Sequence, residues 1–292
     1  MLKGWLYFHS IVLIMLLTIS NSYAEVKIAI LDSGCNIEYQ NGISFVDDSV
    51  TDLNGHGTAI AKIIKEYNPN AKLYIAKVLN ENGCNFNIEP IVNGIHWAIS
   101  CGVDIINISW QTRNDEEAIY KAIKQAYQSG IILVAAAGNK GNLLDSFIDK
   151  LNSCDQNPTN LTEIKYPAKY DEVIAIGAIR NFWIFNRHEK YSPVDSKIDY
   201  VCDGSYGFLK GTSLSAARAT AIISKIKEDY PRLKGAEFRE LLKSYAHDLG
   251  DKGKDTKFGY GKLIYKPKRL VTHHLATVVS TISSQDQKAG DY

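Results

Sequence analysis

The sequence predicts an α/β protein built on a mostly parallel sheet with helices on both faces. Short, nearly continuous apolar runs, typical of strands buried on both faces, alternate along the chain with longer segments of helical apolar spacing. Strands joined in this way form right-handed βαβ units, which place the connecting helices against one sheet. The chain has 292 residues, 45% of them apolar, and can bury such a core as one large domain or at most two.

The amino-terminal half of the chain carries the clearest alternation. Strands are predicted over residues 26–31, 72–79, 103–109 and 131–137. Helices are predicted over residues 59–65, 90–100 and 115–129, the last of which ends at Gly130.

The carboxyl-terminal half follows the same plan with longer connections. A strand over residues 173–179 precedes a predicted loop over residues 181–196, and another strand passes through Tyr200 and Val201. Helices are predicted from Ser213 to residue 229, with Thr212 as the N-cap, and over residues 235–247. Residues 258–264 close the compact region.

Residues 1–24 are predicted to form a signal peptide that is cleaved after Ala24. The apolar run that follows Lys3 is about fifteen residues long, whereas a spanning helix needs roughly twenty. Small residues, Ser22 and Ala24, occupy the two positions that a signal peptidase reads. The folded part is therefore expected to be secreted or periplasmic, with an uncleaved amino-terminal anchor as the alternative.

Charge and cysteine content exclude some classes of function. A net charge of +1 gives no electrostatic argument for binding nucleic acid or an anionic membrane. The five cysteines are scattered and form no Cys-x-x-Cys pair, which disfavours a zinc site. Outside the cytoplasm disulfides can persist, and the sequence leaves their pairing open.

Four short motifs carry the residues that acyl transfer needs. They are Asp32-Ser33-Gly34, His56-Gly57-Thr58, Gly138-Asn139 and Gly211-Thr212-Ser213, each at a predicted strand end or helix start. A serine hydroxyl needs an imidazole to take its proton, and the imidazole needs a carboxylate to fix its tautomer and stabilise its cation. An asparagine amide and the free N–H groups of a helix start can hold an oxyanion.

Each of these motifs also has an ordinary structural interpretation. Asp-Ser-Gly is common turn chemistry, and Gly-Thr-Ser before a helix is more often a cap than a catalytic site. The coincidence of all four in one chain is what indicates a catalytic centre.

With these motifs in the order aspartate, histidine, serine, the chain resembles the subtilisin-like (subtilase) serine peptidases over residues 26–264. The resemblance implies a three-layer α/β sandwich. It also implies that Asp32 is the charge partner, His56 the general base and Ser213 the nucleophile. Asn139 and the backbone N–H of Ser213 would then form the oxyanion hole.

The chain departs from the family pattern at two places near this site. Ala217 occupies the position where the family usually has a proline, a change that a helix tolerates well. Ser109-Trp110-Gln111-Thr112 replaces the usual Ser-x-Gly-Gly, whose glycines let a substrate lie along the pocket wall. These four residues are the predicted substrate-binding strip, and Gln111 and Thr112 are expected to narrow or reshape the pocket.

No metal and no cofactor are predicted for this chain. The interval from His56 to the strand at Lys72 is too short for the loop that binds a structural calcium in many relatives. No propeptide of the usual length fits between residue 24 and the first strand, which leaves open how activity is controlled.

We therefore expect three segments: a signal peptide over 1–24, a peptidase domain over 25–268 and a flexible carboxyl-terminal tail over 269–292. The expected function is a serine endopeptidase that acts on a peptide or protein substrate, without nucleic acid and without stable membrane insertion after signal cleavage. A non-catalytic peptide- or protein-binding module on the same scaffold is the alternative. The sequence leaves the oligomeric state open.

Overall fold

The computed structural model describes residues 25–83, 87–112, 114–139, 163–182 and 185–267. The predicted signal peptide and the predicted tail lie outside these residues, as do Cys84 and Cys154. Within the described ranges, Cys35, Cys101 and Cys202 are free thiols.

The described residues form strands and helices that alternate as the sequence predicts. The strands are β1 Lys27–Asp32, β2 Asn41–Ser44, β3 Lys72–Lys77, β4 Ile105–Ile108, β5 Ile132–Ala136, β6 Val173–Phe182, β7 Phe185–His188, β8 Tyr200–Asp203, β9 Ser205–Tyr206, β10 Leu209–Lys210, β11 Ala246–His247 and β12 Lys262–Leu263. The helices are α1 His56–Tyr67, α2 Glu89–Ser100, α3 Glu117–Gln128, α4 Thr212–Asp229 and α5 Gly235–Lys243.

One large sheet organises the molecule, with the strand order β11-β12-β8-β6-β5-β4-β1-β3-β2. Its centre is parallel, and the register pairs Ile30 of β1 with Ile75 of β3 on one side and with Asn107 of β4 on the other. Antiparallel pairing occurs where β12 meets β11 and where β7 folds back on β6. The carboxyl ends of the parallel strands therefore meet at one edge of the sheet, where sites in open α/β sheets lie.

Alternate residues of β1 face two different helical layers. Ile28 and Ile30 pack in a core with residues of α1, α4 and α5. Ala29 and Leu31 pack in a second core with residues of α2 and α3. Because successive strand residues point to opposite faces, this division makes the domain a three-layer sandwich, and the predicted fold class is confirmed.

Three of the differences between the observed and the predicted secondary structure involve strands of the large sheet. Strand β2 was not predicted, and the predicted loop over residues 181–196 instead contains the end of β6 and the antiparallel strand β7. Helix α5 ends at Lys243 rather than at residue 247, because Ala246 and His247 leave the helix to pair with β12. In each case pairing with another strand decides the local conformation, and the apolar periodicity of the segment does not report that pairing.

Candidate active site

Asp32 and His56 form a buried pair where β1 ends and α1 begins. The Nδ1 atom of His56 lies 2.7 Å from Oδ1 of Asp32, and both side chains are almost fully buried. Because the carboxylate accepts, Nδ1 carries the hydrogen of the neutral ring, and the lone pair of Nε2 is left to take a proton.

The charge environment of His56 favours its protonated form. Burial opposes the charge on the ring, but Asp32, through its charge and hydrogen bond, and then Asp52, through its charge, raise the pKa of His56 above its ordinary value. A general base tuned in this way stabilises the imidazolium that forms during proton transfer.

Close backbone approach between β1 and α1 makes this pair possible. A methyl group on Gly57 would lie 2.2 Å from the carbonyl oxygen of Gly34, so only a glycine lets α1 begin so near the end of β1. Gly34 itself has a φ of +113°, a left-handed conformation that glycine adopts without strain. The two glycines of the predicted motifs therefore position the two catalytic candidates.

Ser213 lies in the first turn of α4, as predicted. Its Oγ donates a hydrogen bond to the carbonyl oxygen of Ser109, 3.1 Å away, in the strip that follows β4. Helices α1 and α4 pack against each other on the same face of the sheet. Both helices begin at the carboxyl ends of the strands, so the turns that carry His56 and Ser213 lie on the same face and at the same edge of the sheet, while the hydroxyl of Ser213 donates to Ser109 and not to His56.

The predicted role of Thr212 as an N-cap is wrong. Thr212 is the first helical residue, Gly211 precedes it, and no side-chain cap hydrogen bond is present. Its Oγ1 instead accepts the N–H of Gly138 at 3.2 Å and donates to Oδ1 of Asn139 at 3.1 Å. Thr212 therefore ties the segment after β5 to the start of α4.

The amide of Asn139 is oriented by these contacts. Its Oδ1 accepts the backbone N–H of Thr212 at 3.0 Å as well as the Thr212 hydroxyl. The oxygen of the amide is engaged in this way, and the Nδ2 group makes no hydrogen bond to any of the described residues. An amide donor held at the start of α4, where Ser213 lies, is what an oxyanion hole needs.

Asp52 is a site residue that the sequence reasoning missed. It is 4% exposed, and its two carboxylate oxygens accept hydrogen bonds from the first turn of α1, including the Thr58 hydroxyl at 2.7 Å and the Gly55 N–H at 2.7 Å. The Ser33 hydroxyl donates to it at 2.9 Å and lies 3.2 Å from Oδ1 of Asp32. An aspartate four residues ahead of a helix-initiating histidine is a capping signal that could have identified it.

The predicted substrate-binding strip, residues 109–112, continues from β4 past the sheet edge. The Ser109 hydroxyl donates to Asn107 and its carbonyl accepts from Ser213, so this residue belongs to the framework of the site. The Trp110 side chain packs in the core with α2 and α3, which leaves only its backbone for the strip. Gln111 and Thr112 are half-buried, and Thr112 pairs with Tyr166 through two backbone hydrogen bonds.

Metal-binding clusters are not found in the described ranges, and two of the three free thiols there are buried. No group of three or more histidine, cysteine or acidic residues there could hold a metal ion. Burial raises the pKa of Cys202 to about 12 and also raises that of Cys35, which disfavours the thiolate form of both side chains. The prediction of no metal stays a prediction.

Comparison with known proteins agrees with this arrangement. The family model for the subtilase family matches residues 23–261. The chain belongs to the subtilase family. Members of this family are serine endopeptidases, and the resemblance inferred from the four motifs is confirmed.

Among individual relatives, subtilisin DY of Bacillus licheniformis is 34% identical over 266 residues, covering 82% of this chain and 88% of the relative. The minor extracellular protease Epr of Bacillus subtilis (strain 168) is 29% identical over 290 residues, or 91% of this chain. The matched region is 42% of the length of Epr. The solved structure of sphericase superposes with a TM-score of 0.65 at 24% identity, covering 82% of this chain and 91% of that one, which shows the shared fold.

Proposed function

We propose that residues 25–268 form a serine endopeptidase that cleaves peptide bonds through an acyl-enzyme on Ser213. His56 removes the proton from the Ser213 hydroxyl as its oxygen attacks the peptide carbonyl, and Asp32 stabilises the resulting imidazolium. Asn139 and the Ser213 N–H hold the oxyanion. His56 then protonates the leaving amine, and water hydrolyses the acyl-enzyme by the reverse sequence.

One observation carries this proposal: the buried Asp32–His56 hydrogen bond of 2.7 Å at the sheet edge where α4 presents Ser213. A buried carboxylate that fixes the tautomer of a histidine has a use in proton transfer and is otherwise a costly arrangement. The framework around it supports the same interpretation, because Thr212 holds the oxygen of the Asn139 amide at the start of α4.

The alternative is a non-catalytic module that binds peptides on the same scaffold. The altered strip at Gln111 and Thr112 is the feature that favours it. Against it, all three residues of the triad and the oxyanion asparagine are retained in this sequence. A binding module has no need for this set, so we favour the enzyme.

A fluorophosphonate probe distinguishes the two, because it reacts only with a serine that a neighbouring base activates. The wild-type protein is expected to be labelled, and the Ser213→Ala variant is expected to show none of this labelling. Ser215→Ala is the matched control, since Ser215 lies in the same helix with its hydroxyl on the carbonyl of Cys202, and its labelling should persist. Folded wild-type protein that is not labelled would overturn the proposal.

We further propose that residues 1–24 direct export and are removed after Ala24, so that the enzyme works in the periplasm or outside the cell. The short apolar run and the small residues before the cleavage point support this location. In the described part of the chain no helix is long and apolar enough to cross a membrane.

A further inference from the structure

Three backbone segments, 109–112, 137–139 and 165–166, lie beside one another near Ser213 at the carboxyl edge of the sheet, and the space that they border is called the slot here. One wall is the strip 109–112, whose Ser109 carbonyl accepts the Ser213 hydroxyl. The other wall is the segment 137–139, whose Asn139 contacts Thr212 at the start of α4. Both walls therefore reach the nucleophile at the same end, which is the mouth of the slot.

The far end of the slot is closed by Lys165 and Tyr166. The N–H of Lys165 donates to the carbonyl of Ala137 at 3.1 Å, on one wall. Tyr166 pairs through its backbone with Thr112 on the other wall, with N···O distances of 2.8 and 3.3 Å. Residues 109–112 and 137–139 thus border the slot on two sides, and Lys165 and Tyr166 join these two sides through backbone hydrogen bonds.

The side chain of Gln111 lies across this slot. A methyl group placed on Gly138 would lie only 2.5 Å from Oε1 of Gln111 and 3.1 Å from Cγ of Lys165. The glutamine therefore reaches from one wall to the other, and it fits because Gly138 has no side chain.

Two features show that this position is constrained. Gly138 has a φ of +103°, which disfavours any larger residue there, and its N–H is held by Thr212. The Gln111 Oε1 atom is buried and has no hydrogen-bond partner among the described residues. A buried, unpaired carbonyl costs free energy, so it indicates that packing rather than hydrogen bonding fixes the side chain.

We propose that Gln111 closes the pocket beside Ser213 and restricts this peptidase to cleavage after small residues, glycine and alanine. This inference rests on the proposed function, because the attacked carbonyl lies at Ser213 and its own side chain enters the mouth of the slot. A leucine or phenylalanine at that position meets the Gln111 amide, whereas glycine and alanine need no space beyond it.

The test uses peptide boronic acids, which add reversibly to an activated serine and protect it from the fluorophosphonate probe. The affinities of three peptides for the folded protein are compared. The peptides differ only in the residue that carries boron, which is the analogue of glycine, alanine or phenylalanine. The wild type should bind the alanine analogue about 10- to 100-fold more tightly than the phenylalanine analogue. Gln111→Gly should reverse this order, because the variant is expected to bind the phenylalanine analogue more tightly than the wild type does and to bind the alanine analogue with unchanged affinity.

Gln111→Met is the matched control, because methionine has a similar length and keeps the slot filled without an amide. It should retain the preference for the alanine analogue. If the wild type prefers the phenylalanine analogue, or if Gln111→Gly leaves the order unchanged, the proposal is overturned. Probe labelling without peptide distinguishes failure of the proposed peptidase activity from failure of the proposed role of Gln111. If the folded wild type is not labelled, the peptidase activity itself is refuted. If it is labelled but binds the phenylalanine analogue more tightly, only the role of Gln111 is refuted.

Discussion

At the scale of single residues, the site depends on groups behind the catalytic candidates as much as on the candidates themselves. The Ser33 hydroxyl has one hydrogen and two carboxylates within reach, Asp52 at 2.9 Å and Asp32 at 3.2 Å. The shorter contact commits that hydrogen to Asp52, which leaves Oδ1 of Asp32 to His56 and the Ser33 N–H. Asp52 therefore acts on the base through Ser33 as well as through its charge.

Asp52→Asn is expected to move the acid limb of the pH profile to lower pH. Activity requires neutral His56, and the charge of Asp52 helps to raise the pKa of that ring. Removing the charge lowers the pKa, so the ring stays deprotonated, and the enzyme stays active, at a lower pH than in the wild type. The measurement is kcat/KM against pH with a peptide p-nitroanilide that ends in alanine.

Asp47→Asn is the control for this pH prediction. Asp47 is a half-exposed carboxylate paired with Lys77 at 2.6 Å, and it is not among the groups that shift His56. The facing groups that do shift it are Asp32 on β1 and Asp52 ahead of α1. The Asp47 variant should lose stability without moving the acid limb. An acid limb that stays in place in Asp52→Asn would show that Asp52 is merely structural.

At the scale of the elements, the contact between β1 and α1 sets the geometry of the Asp32–His56 pair. Asp32 is the last residue of β1 and His56 is the first of α1, so a small shift of the helix changes their distance directly. Gly57 is where the two elements come closest. The glycine of the His-Gly-Thr motif is thus explained by packing.

Gly57→Ala is expected to destabilise the protein by about 2 kcal/mol or more and to lower kcat, because the new methyl group overlaps the Gly34 carbonyl and pushes α1 away. Urea denaturation and steady-state kinetics measure the two effects. Gly102→Ala is the control, since nothing lies within 4 Å of its methyl position and only its φ of +59° disfavours alanine. That variant should lose about 1 kcal/mol and keep its kcat. Equal effects of the two variants on kcat would contradict this account.

At the scale of the whole molecule, the two helical layers have different tasks. Helices α1 and α4 lie on the face that carries His56 and Ser213, while α2 and α3 cover the opposite face with an apolar core. The free thiols Cys35 and Cys202 are buried in the first of these cores. The candidate active site therefore lies at the carboxyl edge of the sheet, outside both apolar cores.

Export of the whole chain is expected to release a protein that begins at Glu25. Amino-terminal sequencing of protein secreted by a bacterial host tests this, because cleavage after Ala24 leaves that residue first. A variant with Ala24→Leu, which removes the small residue from the cleavage position, should remain uncleaved. Wild-type protein that keeps residues 1–24 and sediments with membranes would instead support the uncleaved anchor.

The sequence by itself determined the alternation of strands and helices and the four motifs with Asp32, His56, Asn139 and Ser213. These were accessible because apolar periodicity and turn chemistry are local properties, and because acyl transfer requires a small set of residue types.

Only the tertiary structure decided strand β2, the end of α5, the role of Thr212, the contact of Asp52 with Ser33 and the reach of Gln111 across the slot. These features depend on contacts between residues far apart in the chain, such as Gly138 and Thr212 at a separation of 74. A pattern within a short window does not encode such contacts, since packing and strand pairing set them only when the whole domain is folded.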